Sequence, residues 1–188
     1  IHKAMIKRWE SEGKFELEQL QLWNDYVPKH LLPRLHGYEL MMAPYAIAHM
    51  KIGIKLYETG YRFNSKERAR IYLTNALEPP SDNQAELEAI SPALAREAKA
   101  VNEIKRHKKF TVVIGNPPYA NFGPSNQHPW ILGLLKDYKK GLNETKLNLD
   151  DDYIKFFRLA QLQLERATCG ILGFITANSY LDGIGHRR

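Results

Sequence analysis

Apolar residues recur at helical spacing over residues 3–24, where Ile6, Trp9, Phe15, Leu17, Leu20 and Leu22 stand among Lys, Glu and Gln. Gly13 divides this stretch into two predicted helices, and Pro28 and Pro33 predict a break after them. At residue 36 the texture changes. HGYELM (36–41) reads as a short strand, and PYAIAHMKIGIKLYETG (44–60) as a helix opened by a first-turn proline and closed by Gly60. RIYLTNALEPP (70–80) begins as a strand and ends in two prolines. SPALAREAKAVNEIKR (91–106) opens with a serine cap and a first-turn proline, a helix start. FTVVIG (110–115) is short, apolar and β-branched, as expected of a strand buried on both faces. Residues 120–150 are irregular apart from a predicted short helix at Pro129-Trp130, and so long a connection is usually functional or mobile. DDYIKFFRLAQLQLERA (151–167) is an amphipathic helix, with Ile154, Phe157, Leu162 and Leu164 among its apolar positions. GILGFITANSYL (170–181) reads as the last strand.

Strands alternating with helices imply a mostly parallel α/β sheet. In such sheets a ligand sits beyond the carboxyl ends of the strands. Three of the predicted strands end in polar or unusual residues: Glu39 after the first, Thr74-Asn75 after the second, and Asn116-Pro117-Pro118-Tyr119 after the third. An amide, two rigid imino acids and an aromatic ring pack poorly. They are well suited to holding something flat that hydrogen-bonds.

Composition narrows the picture only a little. The 188 residues suffice for one domain with a proper core, or for most of a larger one. A formal charge of +6 and a pI near 9.3 fit a nucleic-acid partner, although many basic proteins bind none. No run of about 18 apolar residues occurs, so no membrane span is predicted, and the N-terminal residues lack a signal-peptide core. The single Cys169 cannot form an internal disulfide, which suits a cytoplasmic, reducing compartment. Seven histidines without ligand spacing predict no metal site. A start at Ile1 and an end at HRR, directly after a strand-like run, read as a piece cut from a longer polypeptide.

VIGNPPY (113–119) resembles the motif of AdoMet-dependent amino-methyltransferases, in which Asn-Pro-Pro-Tyr marks N6-adenine DNA methyltransferases. The likeness extends through LLPRLHGYELMMAPYAIAHMKIGIKL, RIYLTNALEPP, DDYIKFFRLAQ and GILGFITANSYLDG, over roughly residues 30–188. These segments are similar to the methyltransferase part of fused restriction–modification proteins of types ISP and IIG. The resemblance implies an incomplete Rossmann-like methyltransferase fold: a helical lead-in over 1–35 and a partial catalytic domain over 36–188. It implies double-stranded DNA as partner, together with nuclease, helicase or target-recognition segments elsewhere in the parent polypeptide.

The resemblance also assigns roles. Asn116, Pro117, Pro118 and Tyr119 form the catalytic segment. The Asn116 side-chain oxygen and the Pro117 carbonyl would accept the two hydrogens of the adenine amine, whose lone pair is otherwise delocalised into the ring. The prolines fix φ and remove competing donors, and Tyr119 would stack on the flipped base. Glu39 would take the cofactor ribose hydroxyls. Thr74 and Asn75 match the position that contacts the cofactor adenine, though a turn-forming Asn75 fits nearly as well. Lys139 and Lys140, with Lys136, Lys146, Trp130 and Tyr138 nearby, could touch phosphates, or could form a solvated face as lysine runs more often do. Asp152 favours the dipole of its helix, and Asn178 and Ser179 read as structural.

One expected part is missing. The family's glycine-rich first strand should precede HGYEL, and no Gly-x-Gly occurs there. Its absence should leave a gap in the sheet or force the flanking strands together, and the piece alone is expected to bind no AdoMet and to be inactive. Two other readings stay open: an RNA or protein-amide methyltransferase using the same loop, and a decayed methyltransferase fold serving as a DNA-binding or scaffold module.

Overall fold

A computed structural model describes residues 1–64, 66–81, 91–118, 125–141, 148–176, 178 and 181. It is a mixed α/β structure with two short parallel sheets. By internal packing it divides into two units, Ile1–Ala76 and Leu77–Arg188.

In the first unit, helices α1 (His2–Ser11) and α2 (Glu16–Tyr26) are separated at Gly13, whose φ of 76° suits a residue without Cβ. The regular α-helix ends at Tyr26, just before Pro28, in keeping with the predicted break. Helical winding continues through a π turn at Val27–Leu31 and a 3-10 turn at Leu32–Arg34. Each proline stands at the first or second residue of its turn, and the irregular winding there fits a ring that can supply no N–H.

Strand β1 (His36–Glu39) leads to α3 (Met42–Glu58) and then to β2 (Arg70–Leu73), which pairs with β1 in parallel, Glu39 opposite Leu73. Helix α3 closes on Gly60 at φ 86°, and Tyr61 N donates to Leu56 O at 3.1 Å. A side chain at Gly60 would also collide with Leu20. The core joins the lead-in helices to this strand–helix–strand: Trp9, Trp23, Val27, Leu31 and Leu32 pack with Leu56 and Tyr61. The Trp23 indole N–H donates to Thr59 Oγ1 at 3.1 Å. Residues 1–35 therefore share one core with α3.

The second unit contains α4 (Pro92–His107), β3 (Val112–Gly115), α5 (Pro129–Lys139), α6 (Asp152–Ala167) and β4 (Ile171–Phe174). Ser91 stands at the N-cap of α4 but makes no capping bond through its side chain. Strands β3 and β4 pair in parallel, Val112 opposite Ile171 and Gly115 opposite Phe174. The ladder continues with Ile175 N donating to Gly115 O at 3.0 Å. The regular part of β4 is thus shorter than the predicted 170–181.

Helix α6 packs antiparallel to these strands. Phe157, early in the helix, meets the ring of Phe174 at the end of β4, with centroids 5.3 Å apart. Leu164, late in the helix, lies over Gly170 just before β4, where any Cβ would run into Leu164 and the Thr111 carbonyl. Arg166 donates to the carbonyls of Lys105 and Arg106, fastening the end of α6 to the end of α4. The first turn of α6 therefore lies at the carboxyl ends of β3 and β4.

Strand β3 is not buried on both faces as its composition predicts. Val112 is 58% and Ile114 80% exposed, and on the same face of β4 Ile171 is 68% exposed. Helix α6 covers one face of this sheet, and apolar composition cannot supply a second cover. Among the described residues the four strands make two separate two-stranded ladders rather than one sheet.

Candidate functional site

At the carboxyl end of β1 the backbone organises its own acid. Glu39 Oε1 accepts from Leu40 N at 2.9 Å and from Met41 N at 3.0 Å, just before α3 begins. These N–H groups lie in the two residues that lead into α3. Oε2 takes no bond from the described residues. Thr74 N donates to Glu39 O at 2.7 Å, so the ends of β1 and β2 are tied together. The sequence-predicted trio Glu39, Thr74 and Asn75 is thereby gathered at one end of one sheet, each residue half-buried. A carboxylate oriented through one oxygen and open at the other fits a vicinal diol such as a ribose, so these residues suit the donor AdoMet.

At the carboxyl end of β3 the arrangement differs. Asn116 follows the last ladder residue and is exposed, Pro117 is buried and Pro118 exposed. The Asn116 carboxamide has no hydrogen-bond partner among the described residues. Its oxygen is available to an incoming N–H, and burial of Pro117 anchors the chain directly behind it. Tyr119 lies outside the described residues, as do Lys146 and Ser179.

The predicted phosphate-contacting lysines are both engaged within the protein. Lys139 Nζ donates to Asp150 Oδ1 at 2.6 Å, and Lys140 Nζ lies 2.9 Å from Asp137 Oδ1. Hydrogen bonds from Lys140 and Arg158 hold the Asp137 carboxyl below its usual range. Tyr138, named with them, belongs to packing: burial pushes its phenol up, and its O–H donates to Gln161 Oε1 at 2.6 Å. Exposed ion pairs are weak, about 0–1 kcal/mol, so a phosphate could compete for either lysine.

Sequence reasoning passed over the strongest polar cluster of this unit. Lys155 is fully buried and donates to Ser125 Oγ, to Asn126 O at 2.6 Å and to Asp152 Oδ1 at 2.9 Å. Asp152 Oδ1 also accepts from Asn126 N at 3.0 Å. Three ammonium donors thus meet three acceptors, which a buried lysine requires. Nothing in the residue pattern could have revealed this, because a lysine in an amphipathic helix reads as solvent-facing. Asn102 was missed for the same reason. Buried in α4, it accepts from Ser81 N at 2.9 Å and donates to Ser81 O at 2.5 Å, fixing the chain after Pro79-Pro80. Beside it, burial pushes the Lys105 ammonium down to about 8 against a smaller opposing pull from Glu78.

A chain in the cryo-EM structure of a DrdV–DNA complex is similar, with a TM-score of 0.63 and 25% sequence identity. The match covers 89% of this chain and 16% of that one, so the protein spans a small part of that neighbour's length. No curated protein matches. The Eco57I restriction-modification methylase family matches over residues 12–188, from the loop after α1 through both strand-end sites, and the chain belongs to that family.

Proposed function

We propose that the chain carries the methyl-transfer chemistry of an adenine-N6 DNA methyltransferase within a restriction–modification enzyme. The observation that carries this reading is Asn116: exposed at the end of a parallel strand, without a partner among the described residues, and followed by Pro117 and Pro118. Its carboxamide oxygen would accept one amine hydrogen and the Pro117 carbonyl the other. Drawing both hydrogens into acceptors turns the amine lone pair out of conjugation and makes the nitrogen nucleophilic. The rigid imino acids hold the acceptors in place before the base arrives, and alignment of this kind supplies much of the acceleration. Tyr119 would stack on the base, which must leave the duplex to be reached. AdoMet supplies the electrophilic methyl group when bound. Glu39, with Oε1 fixed by two backbone donors, would hold the ribose through Oε2, and Thr74 and Asn75 would border the cofactor adenine.

The fold of this reading is Rossmann-like. Residues 1–35 contain no Gly-x-Gly to hold the methionine end of the donor, so these 188 residues alone should show no tight AdoMet binding. Calorimetry checks this, and a firm binding isotherm would refute it. Double-stranded DNA is the substrate we infer, supported by family membership and by the DNA-bound neighbour. The test is Asn116→Ala in the full-length protein, assayed with AdoMet on DNA, RNA and protein acceptors. We expect methylation of DNA adenine to fall by at least about 100-fold, the usual effect of losing one preorganised hydrogen-bonding group. Undiminished transfer, or transfer confined to RNA or protein, would overturn the assignment.

A further inference from the structure

Lys155 is the best-sequestered charge among the described residues, and it is spent on a short stretch of chain. Two of its three acceptors, Ser125 Oγ and Asn126 O, belong to the segment that comes after Asn116-Pro117-Pro118 in sequence. The third, Asp152 Oδ1, also accepts from Asn126 N and lies 2.9 Å from Ser125 Oγ. Ser125 Oγ has a further acceptor in Asp150 O at 3.0 Å. The segment then passes into α5 through Asn126 Oδ1, which accepts from His128 N at 2.9 Å, and His128 Nδ1, which accepts from Trp130 N at 3.2 Å. A buried lysine–aspartate pair is a poor source of net stability, since an apolar pair of similar volume commonly does as well. Its directional bonds are better at fixing one register of one segment.

The cluster sits where such fixing matters. Asp152 and Lys155 occupy the first turn of α6, and the next turn places Phe157 on Phe174, the register partner of Gly115. Gly115 immediately precedes Asn116. The clamp and the candidate catalytic amide therefore share the carboxyl end of the same two strands, joined through Phe157, Phe174 and Gly115.

We propose that Lys155, with Asp152 and Ser125, is a positioning residue for methyl transfer, holding the chain downstream of the Asn-Pro-Pro segment against α6. The proposal rests on the function inferred for Asn116. The segment itself is anchored by buried Pro117, and the Lys155 clamp holds Ser125 and Asn126 further along the chain. With the clamp released, the acceptors sample more orientations, and a misplacement of about 1 Å is enough to cost on the order of 100-fold in rate.

The experiment compares Ser125→Ala, Lys155→Met and Asn116→Ala with the unmodified full-length protein, reading kcat, KM for AdoMet and Tm. Ser125→Ala leaves the ion pair in place but one ammonium hydrogen of buried Lys155 without its acceptor, so Tm should fall, by less than in Lys155→Met. Its kcat should fall about 10-fold or more with KM for AdoMet unchanged, the signature of lost transition-state alignment rather than lost binding. Lys155→Met should lower kcat further, and pairing it with Asp152→Asn should recover Tm without recovering kcat. Recovery of kcat together with Tm would show a purely structural role and overturn the proposal. So would Ser125→Ala keeping kcat within about two-fold while Asn116→Ala abolishes it. Full activity in Asn116→Ala removes the underlying function, and the clamp's role with it. Should Lys155→Met fail to fold, Ser125→Ala alone decides.

Discussion

The two sheets of this protein have the same size and direction, two parallel strands of four residues each, yet they prepare their carboxyl ends in opposite ways. In β1–β2 the polar end is organised by its neighbours: backbone N–H groups hold Glu39, Thr74 ties the strands together, and Ile71 and Tyr72 are buried beneath. In β3–β4 the strand-end amide is left without a partner among the described residues. Among the described residues one face of the sheet is uncovered, and order is imposed from outside by buried Pro117 and by the charged clamp on α6. The contrast suits a division of labour. On the proposed function, Glu39 would be a cofactor carboxylate fixed before binding, and Asn116 an amide that keeps its acceptor free for a substrate hydrogen.

Stability is the most demanding test of this contrast. Ile71→Ala in β2 should cost about 2–5 kcal/mol, as for other buried large-to-small changes. Ile114→Ala in β3, at 80% exposure, should stay within about 0.5 kcal/mol. Denaturant unfolding of the 188-residue chain measures both, and equal losses would mean the face of β3 is covered after all. Glu39→Gln probes the functional side. It keeps one oxygen for the two backbone donors but weakens charge-assisted bonds, so AdoMet affinity of the full-length protein should fall by roughly 10-fold, about 1.4 kcal/mol, with kcat less affected. A kcat collapse at unchanged affinity would move Glu39 from holding the donor to performing the chemistry.

The smallest effect concerns Lys105. Its ammonium is pushed down to about 8 in the folded chain, from 10.5, chiefly by burial. The unfolded chain then binds more protons than the folded one between about pH 8 and 10.5, so this group destabilises the fold below pH 8 and the penalty fades as pH rises through that window. Lys105→Met should therefore stabilise the protein modestly at about pH 7, by an amount that shrinks toward about pH 10. Its bond to Glu78 O at 2.9 Å works against the gain. Thermal melts across that range would show it, and a constant difference would rule out titration as the cause.

Local sequence pattern is enough to set the order of strands and helices and the three polar strand ends, because spacing, β-branching and proline placement act over short distances. It also carries the resemblance that family membership supports. Local rules fail where a partner outside the segment decides the outcome. Pro28 and Pro33 read as a break, and the α-helix does end at Tyr26, but the π and 3-10 turns that carry the winding on were not legible. VVIG reads as fully buried, yet burial needs a covering element on each face, and among the described residues α6 covers only one. Lys155 reads as one more charge on an amphipathic helix. Packing alone turns that lysine inward, because Ser125 and Asn126, remote in sequence, are brought over the first turn of α6. A hydrophobic pattern reports which way a residue would face on average. Which buried charge finds three acceptors depends on contacts between segments, and no single stretch of sequence contains that information.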